Sequence, residues 1–309
     1  MRVYARKIHL IPQKKSCILL TYVVKYNQYY VWKKGDLALA KKRNHYPSFW
    51  LVLFIVISVG LFNAALKYAG GLGKNNAAEK EISDYAEQYG FSLSDYPSEI
   101  VNLFKFNQET REFVLNYPSK IVDFKPAALN FKEYAQCTKP PELKQWDVRW
   151  GYMSYNGSVM GLSGSAPTAL SMAALYVTHD MSLTPVHIAQ FAAGSEYESD
   201  PEKLLSDGAR TLSMNVTELP KNDKRIRQAV SEEGTAVICL TSGKSFSPVI
   251  VIRGINEDGA YLINDTVSDK RSAQAYTFAD INPTLKKCWK YTSANSSTTP
   301  SSSTAATKS

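Results

Sequence analysis

Apolar positions along the chain fall into three regimes. The first is an unbroken run, FWLVLFIVISVGLFNAAL at residues 49–66, with no charged side chain. It lies within a stretch of 23 uncharged residues between Arg43 and Lys67. At about 1.5 Å per residue that stretch crosses a hydrocarbon layer of about 30 Å. The second regime is helical spacing. EKEISDYAEQYG stops at Gly90, and SEIVNLFKF and QETREFVLNY repeat the pattern. Further helices are predicted over 166–177, 184–193, 201–211 and 222–233, the last closed by Gly234. The third regime begins where the period shortens. TAVICLT, VIVIRGI, GAYLIND and TLKKCWKYT are β-branched and aromatic runs separated by turn residues, and read as strands. Helices first and strands second predict an α+β domain.

Polar stretches divide these regimes. GGLGKNNAAEKE is a flexible leash, CTKPPELK an extended linker forced by two prolines, and SANSSTTPSSSTAATKS a low-complexity tail. The expected organisation is a basic segment over 1–48, a transmembrane helix over 49–66 and a leash over 67–76. A helical lead-in over 77–136, a main domain over 137–292 and a disordered tail over 293–309 follow. DYPSEIV (95–101) and NYPSKIV (116–122) share helix-start chemistry, and a single repeat does not make a solenoid.

Charge sharpens the topology. The net charge of +8 is concentrated in residues 1–48, which hold 11 Lys or Arg and one acid, Asp36. The rest of the chain is close to neutral, so no nucleic-acid-binding face is expected there. Basic residues flank the apolar run on its N-terminal side, with Phe49 and Trp50 at one end and Tyr68 at the other. The positive-inside rule then places the N-terminus in the cytoplasm and the chain after about Lys67 outside. A cleaved signal peptide is disfavoured, because its basic region would exceed 40 residues. CILLTYVV at 17–24 is too short to span.

Four cysteines remain: Cys17 on the cytoplasmic side, and Cys137, Cys239 and Cys288 outside. Their number and spacing give neither a disulfide framework nor a metal site. Cys239 reads as a small core residue, and a Cys137–Cys288 bridge is one option. No cofactor or metal constellation is evident.

Candidate chemistry centres on GLSGSAPTALSMAALY, residues 161–176, where glycines run into Pro167 and an apolar helix. Ser165 has two readings there. Its hydroxyl caps the helix by accepting a first-turn N–H, or it is a nucleophile with free N–H groups and the positive dipole end beside it. In QWDVRWG, Trp146 and Trp150 read as core anchors or as a groove wall, and Asp147 and Arg149 as a local ion pair.

QWDVRWGYMSYNGSVMGLSGSAPTALSMAALYVTHDMSLTP resembles the bacterial papain-like cysteine peptidases of the C-thirty-nine-like type. These are relatives of the peptidases that cut double-glycine leaders from bacteriocins. In that family Gln-Trp-Asp and Arg-Trp-Gly precede a Ser-Gly-Cys-Gly-Pro-Thr motif on a central helix. A Gly-His then opens a strand, and Asn-Asp ends the next. The resemblance spans about residues 95–291 and implies a papain-like fold, with a helical half and an antiparallel sheet half. It assigns Gln145 as oxyanion donor and Asp265 as the carboxylate orienting an imidazole. Ser165 stands in the slot of the nucleophilic cysteine, with Ala166 replacing the next glycine. Pro248 stands in the slot of the histidine base.

Those two changes fall on the residues that make and break bonds. A cysteine becomes a thiolate near neutral pH beside His⁺, whereas a serine needs an adjacent base. Proline has no titratable group. Substitute bases are few. His9 and His45 lie before the span, and His179 lies 14 residues after Ser165, about 21 Å along a helix. His187 and Lys244 are the alternatives for an active hydrolase; Ser163, Ser245 and Ser247 add hydroxyls only. The expected function is therefore a membrane-anchored extracellular pseudopeptidase, binding a peptide or protein partner in a retained cleft. A serine hydrolase and a purely structural cell-surface protein are the alternatives.

Overall fold

The structure, a computed structural model, describes residues 77–295. The expected basic segment, membrane span and leash, with Cys17, His9 and His45, lie outside the described residues, as does the tail after Asn295. Among the described residues no helix is long and apolar enough to cross a membrane.

The chain opens with helices α1 (77–88), α2 (Ser98–Phe106), α3 (Arg111–Leu115) and α4 (Tyr117–Ile121). Pro97 sits at the N-cap of α2 and Pro118 in the first turn of α4, where a missing N–H costs nothing. Their apolar faces close on a core of their own, with Ile82, Ile100, Phe104 and Phe113 fully buried beside Tyr152. A two-stranded hairpin, β1 (Ser154–Tyr155) and β2 (Ser158–Val159), leads into α5 (Met160–Ser163) and the central helix α6 (Ser165–Thr178). Buried residues surround α6 on every side, the mark of a core helix rather than an amphipathic one. It ends at His179, held at φ 54°.

Next come α7 (Pro185–Ala192), with Thr184 accepting from the His187 N–H, then α8 (Glu196–Ser199) and α9 (Pro201–Lys203). The helix expected over 201–211 is not uniform. Leu204–Gly208 winds in π geometry before α10 (Ala209–Thr211). Strand β3 (Met214–Leu219) and helix α11 (Asp223–Ser231) precede β4 (Ala236–Thr241), β5 (Val249–Ile255) and β6 (Tyr261–Asp265). Helix α12 (Asp269–Ser272), strand β7 (Ala275–Tyr276), helix α13 (Phe278–Ile281) and strand β8 (Leu285–Ser293) complete the unit.

Six strands form one antiparallel sheet in the order β3-β8-β4-β5-β6-β7. Alternate residues of β4 divide between two cores. Ala236 and Ile238 face α6, while Val237 and Cys239 pack with Ile226 and Ala229 of α11. Both faces are covered, which explains why TAVICLT and VIVIRGI are apolar without alternation. The architecture is α+β, as the element order predicts. Strand β3 was not foreseen; it is an edge strand with one buried side chain, Met214, among six. The tail begins later than expected, because Ser293 still pairs with Met214 at the end of β8.

Candidate functional site

The glycine-rich approach to Ser165 is helical, not a loop. Met160–Ser163 forms α5, and Gly164 joins it to α6. The glycines serve packing. A Cβ on Gly161 would stand 2.3 Å from the Phe113 ring, and one on Gly164 would stand 2.6 Å from the Met160 carbonyl oxygen. Pro167 fits at the third helical position, where the N–H has no partner within the helix. Gly164 is the N-cap, and Ser165, the first helical residue, makes no cap hydrogen bond. The capping role is thus corrected: the hydroxyl faces the sheet instead.

The Ser165 Oγ accepts from the Val249 N–H at 3.1 Å and lies 2.8 Å from the Thr266 Oγ1. It also reaches the Val249 carbonyl at 3.4 Å. Thr266 in turn lies 3.5 Å from the Gln145 Oε1 through its hydroxyl, and its carbonyl accepts from the Gln145 N–H at 2.9 Å. The Gln145 side-chain amide donates to the Gly161 carbonyl at 2.9 Å. One of its two N–H groups is engaged with the frame of the α5 turn, and Ser165 is not among its partners.

Asp265 ends β6, 0 % exposed, and gathers five donors. The N–H groups of Ser247, Val267 and Ser268 donate at 3.0, 2.9 and 3.0 Å. Arg271 closes a fork at 2.7 and 2.9 Å. Burial opposes the charge, but the Arg271 guanidinium and the N–H donors outweigh it and hold this carboxyl below the usual carboxylate range. Nearby, the buried ammonium of Lys144 binds the Asp265 carbonyl at 2.8 Å, the Ser272 Oγ at 3.0 Å and Glu142 at 2.7 Å.

The four positions singled out by motif therefore converge. Ser165 bonds the residue after Pro248, Asp265 bonds the residue before it, and Gln145 bonds the residue after Asp265. Three of the four, Ser165, Gln145 and Asp265, are buried, and only Pro248 is exposed. His187 and Lys244 are exposed and are not among the partners of Ser165. Ser163 bonds the Tyr155 and Val159 carbonyls. Sequence reading missed Thr266, Arg271 and Lys144. The short spacing from Asp265 to Arg271, one turn of helix beyond the strand end, was the available signal.

Trp150 belongs to the core, and Trp146 packs half-buried at the edge of the helical cluster. Trp150 is fully buried and donates to the Lys144 carbonyl at 2.9 Å, and Trp146 donates to the Val267 carbonyl at 2.6 Å. Arg149 pairs with Asp147 at 2.7 Å, as the spacing suggests, and lies 4.7 Å from the Trp150 ring centroid. Three cavities of about 510, 780 and 380 Å³ open elsewhere on the surface, none lined by Ser165, Gln145, Pro248 or Asp265. No group of His, Cys, Asp and Glu suited to a metal ion occurs among the described residues. No protein-family model matches the chain, and no curated protein or solved structure matches it either.

Proposed function

We infer that this chain is a membrane-anchored pseudopeptidase with a papain-like domain outside the membrane, and that it holds a peptide or protein partner without cleaving it. One observation carries the loss of chemistry: the Ser165 hydroxyl is 5 % exposed and bonded to Val249 and Thr266. Neither partner is a base. A serine nucleophile needs a group that takes its proton, and threonine and a backbone amide cannot.

The convergence of Ser165, the 247–249 segment, Asp265 and Gln145 supports the papain-like arrangement. In this reading the four positions correspond to the family's nucleophile, base, orienting carboxylate and oxyanion donor. Arg271 supplies a permanent cation to Asp265 in place of an imidazolium. A guanidinium neutralises the carboxylate but cannot accept a proton near neutral pH.

The full chain, extracted in detergent, is treated with a fluorophosphonate probe and separately with a fluorescent peptide library. The proposal expects no label on Ser165 and saturable retention of intact peptides. Labelling that disappears in Ser165→Ala, with peptide fragments released, would establish a hydrolase. Neither labelling nor retention would leave a structural cell-surface role.

A further inference from the structure

The cysteines outside the candidate site have an arrangement of their own. Cys239 of β4 and Cys288 of β8 are directly opposite in the antiparallel register. Opposed residues in such a ladder have Cα atoms about 4.5 or 5.5 Å apart, depending on the kind of pair. Both values fall inside the disulfide window of about 4.4–6.8 Å. The side chains also point the same way: the two Sγ atoms lie 2.8 Å apart. That is well inside the roughly 3.5–4.0 Å at which unbonded heavy atoms rest. Both residues are 0 % exposed, within the core between the sheet and α11 formed by Ile226, Phe246, Ile250 and Leu285. Cys137, Cys239 and Cys288 are all free thiols in this structure, Cys137 partly buried and the other two buried. Cys288 faces Cys239 and not Cys137, so the fold does not offer the Cys137–Cys288 option.

We propose that Cys239 and Cys288 form a cross-strand disulfide that locks β4 to β8. The oxidant is a protein disulfide of the thiol–disulfide exchange class. One cysteine thiolate attacks a sulfur of that disulfide and releases its first thiolate. The second cysteine thiolate then attacks the mixed disulfide and releases the other. Two thiols are oxidised, one disulfide is reduced, and two protons leave. Exchange takes place before α11 and the sheet close over the pair, because no reagent reaches it afterwards. Burial also pushes the Cys239 thiol up, which disfavours the attacking thiolate in the folded chain. The bond suits the oxidising side of a membrane, in line with the topology expected from the basic segment. Once made, it is shielded from reductants.

Cells making the full chain are lysed directly into guanidinium with N-ethylmaleimide, and the protein is digested with trypsin without reduction. Cleavage after Arg227, Lys244, Lys287 and Lys290 places Cys239 in peptide 228–244 and Cys288 in peptide 288–290. The expected product is one species joining these two peptides, two hydrogens lighter than their sum and split by reductant, with maleimide on Cys137. Maleimide on Cys239 and Cys288, or a link from either to Cys137, overturns the proposal. A second readout uses stability. The bridge closes a loop with a sequence separation of 49. Reduction in mild denaturant, followed by its removal, should lower the wild-type Tm by about 5–10 °C. The double variant Cys239→Ala/Cys288→Ala should show no change, and an equal shift in both proteins would contradict the bond.

Discussion

Asp265 is the residue on which the polar cluster turns, and its charge is paired with the Arg271 guanidinium beside three backbone N–H donors. Arg271 is about one-third exposed while the carboxylate is wholly buried. Replacing Arg271 with Met strands a buried charge, which costs about 3 kcal/mol, the low end for buried pairs because the guanidinium reaches solvent. The pH dependence has a definite sign. The folded carboxyl titrates below its ordinary value. Its contribution is therefore complete above pH about 4 and is lost as pH falls through the lowered folded value. In Arg271→Met the unpaired carboxyl titrates higher, so the penalty is relieved by acid. Urea midpoints of both proteins should differ most at pH 7 and converge toward pH 3.5. A gap that stays constant across this range would show that Arg271 does not act through the charge of Asp265.

At the level of elements, the glycines of the α5–α6 junction are packing devices. Phe113 is fully buried and stacked on Tyr152 with ring centroids 4.7 Å apart, so it cannot yield to a new methyl group at Gly161. Gly161→Ala should lower stability by about 1–3 kcal/mol, the usual cost of overpacking, as measured by urea denaturation. A neutral effect would show that the contact between α3 and α5 is loose. The elements legible in the sequence were those with strong internal signals. These include α2, α6, α7 and α11 with their proline, threonine and asparagine starts, and β4, β5 and β6 with their apolar runs. Strand β3 was not legible, because an exposed edge strand such as MNVTEL carries no buried alternation. Nor was the π turn at Leu204–Gly208, which depends on tertiary packing and not on a local residue preference.

Across the whole unit, the helical lead-in is tied to the sheet half by contacts far apart in sequence. Glu109 accepts from the Asp269 and Lys270 N–H groups at 2.9 and 2.8 Å, and the Asn107 amide donates to the Val267 carbonyl at 2.7 Å. Glu109→Ala should therefore lower amide-exchange protection in α2 and α3 and in β6 and α12 together. Protection lost in the helices alone would mean that the two halves open independently. The candidate site shows the same division between near and far. That Ser165, Asp265, Gln145 and the neighbours of Pro248 come together was expected from the resemblance of the motif spacing. Their satisfied state was not, because the partners Thr266, Ser247 and Arg271 are reached only through the folded sheet.

The central claim is that the Ser165 hydroxyl belongs to the frame of the molecule and not to its chemistry. Ser165→Ala tests it directly. A framing hydroxyl leaves the buried Val249 N–H and the Thr266 hydroxyl short of a partner, so equilibrium denaturation of the variant should show a loss of about 1–3 kcal/mol. Stability equal to or above that of the wild type, the behaviour of a catalytic residue held at the expense of the fold, would contradict the account.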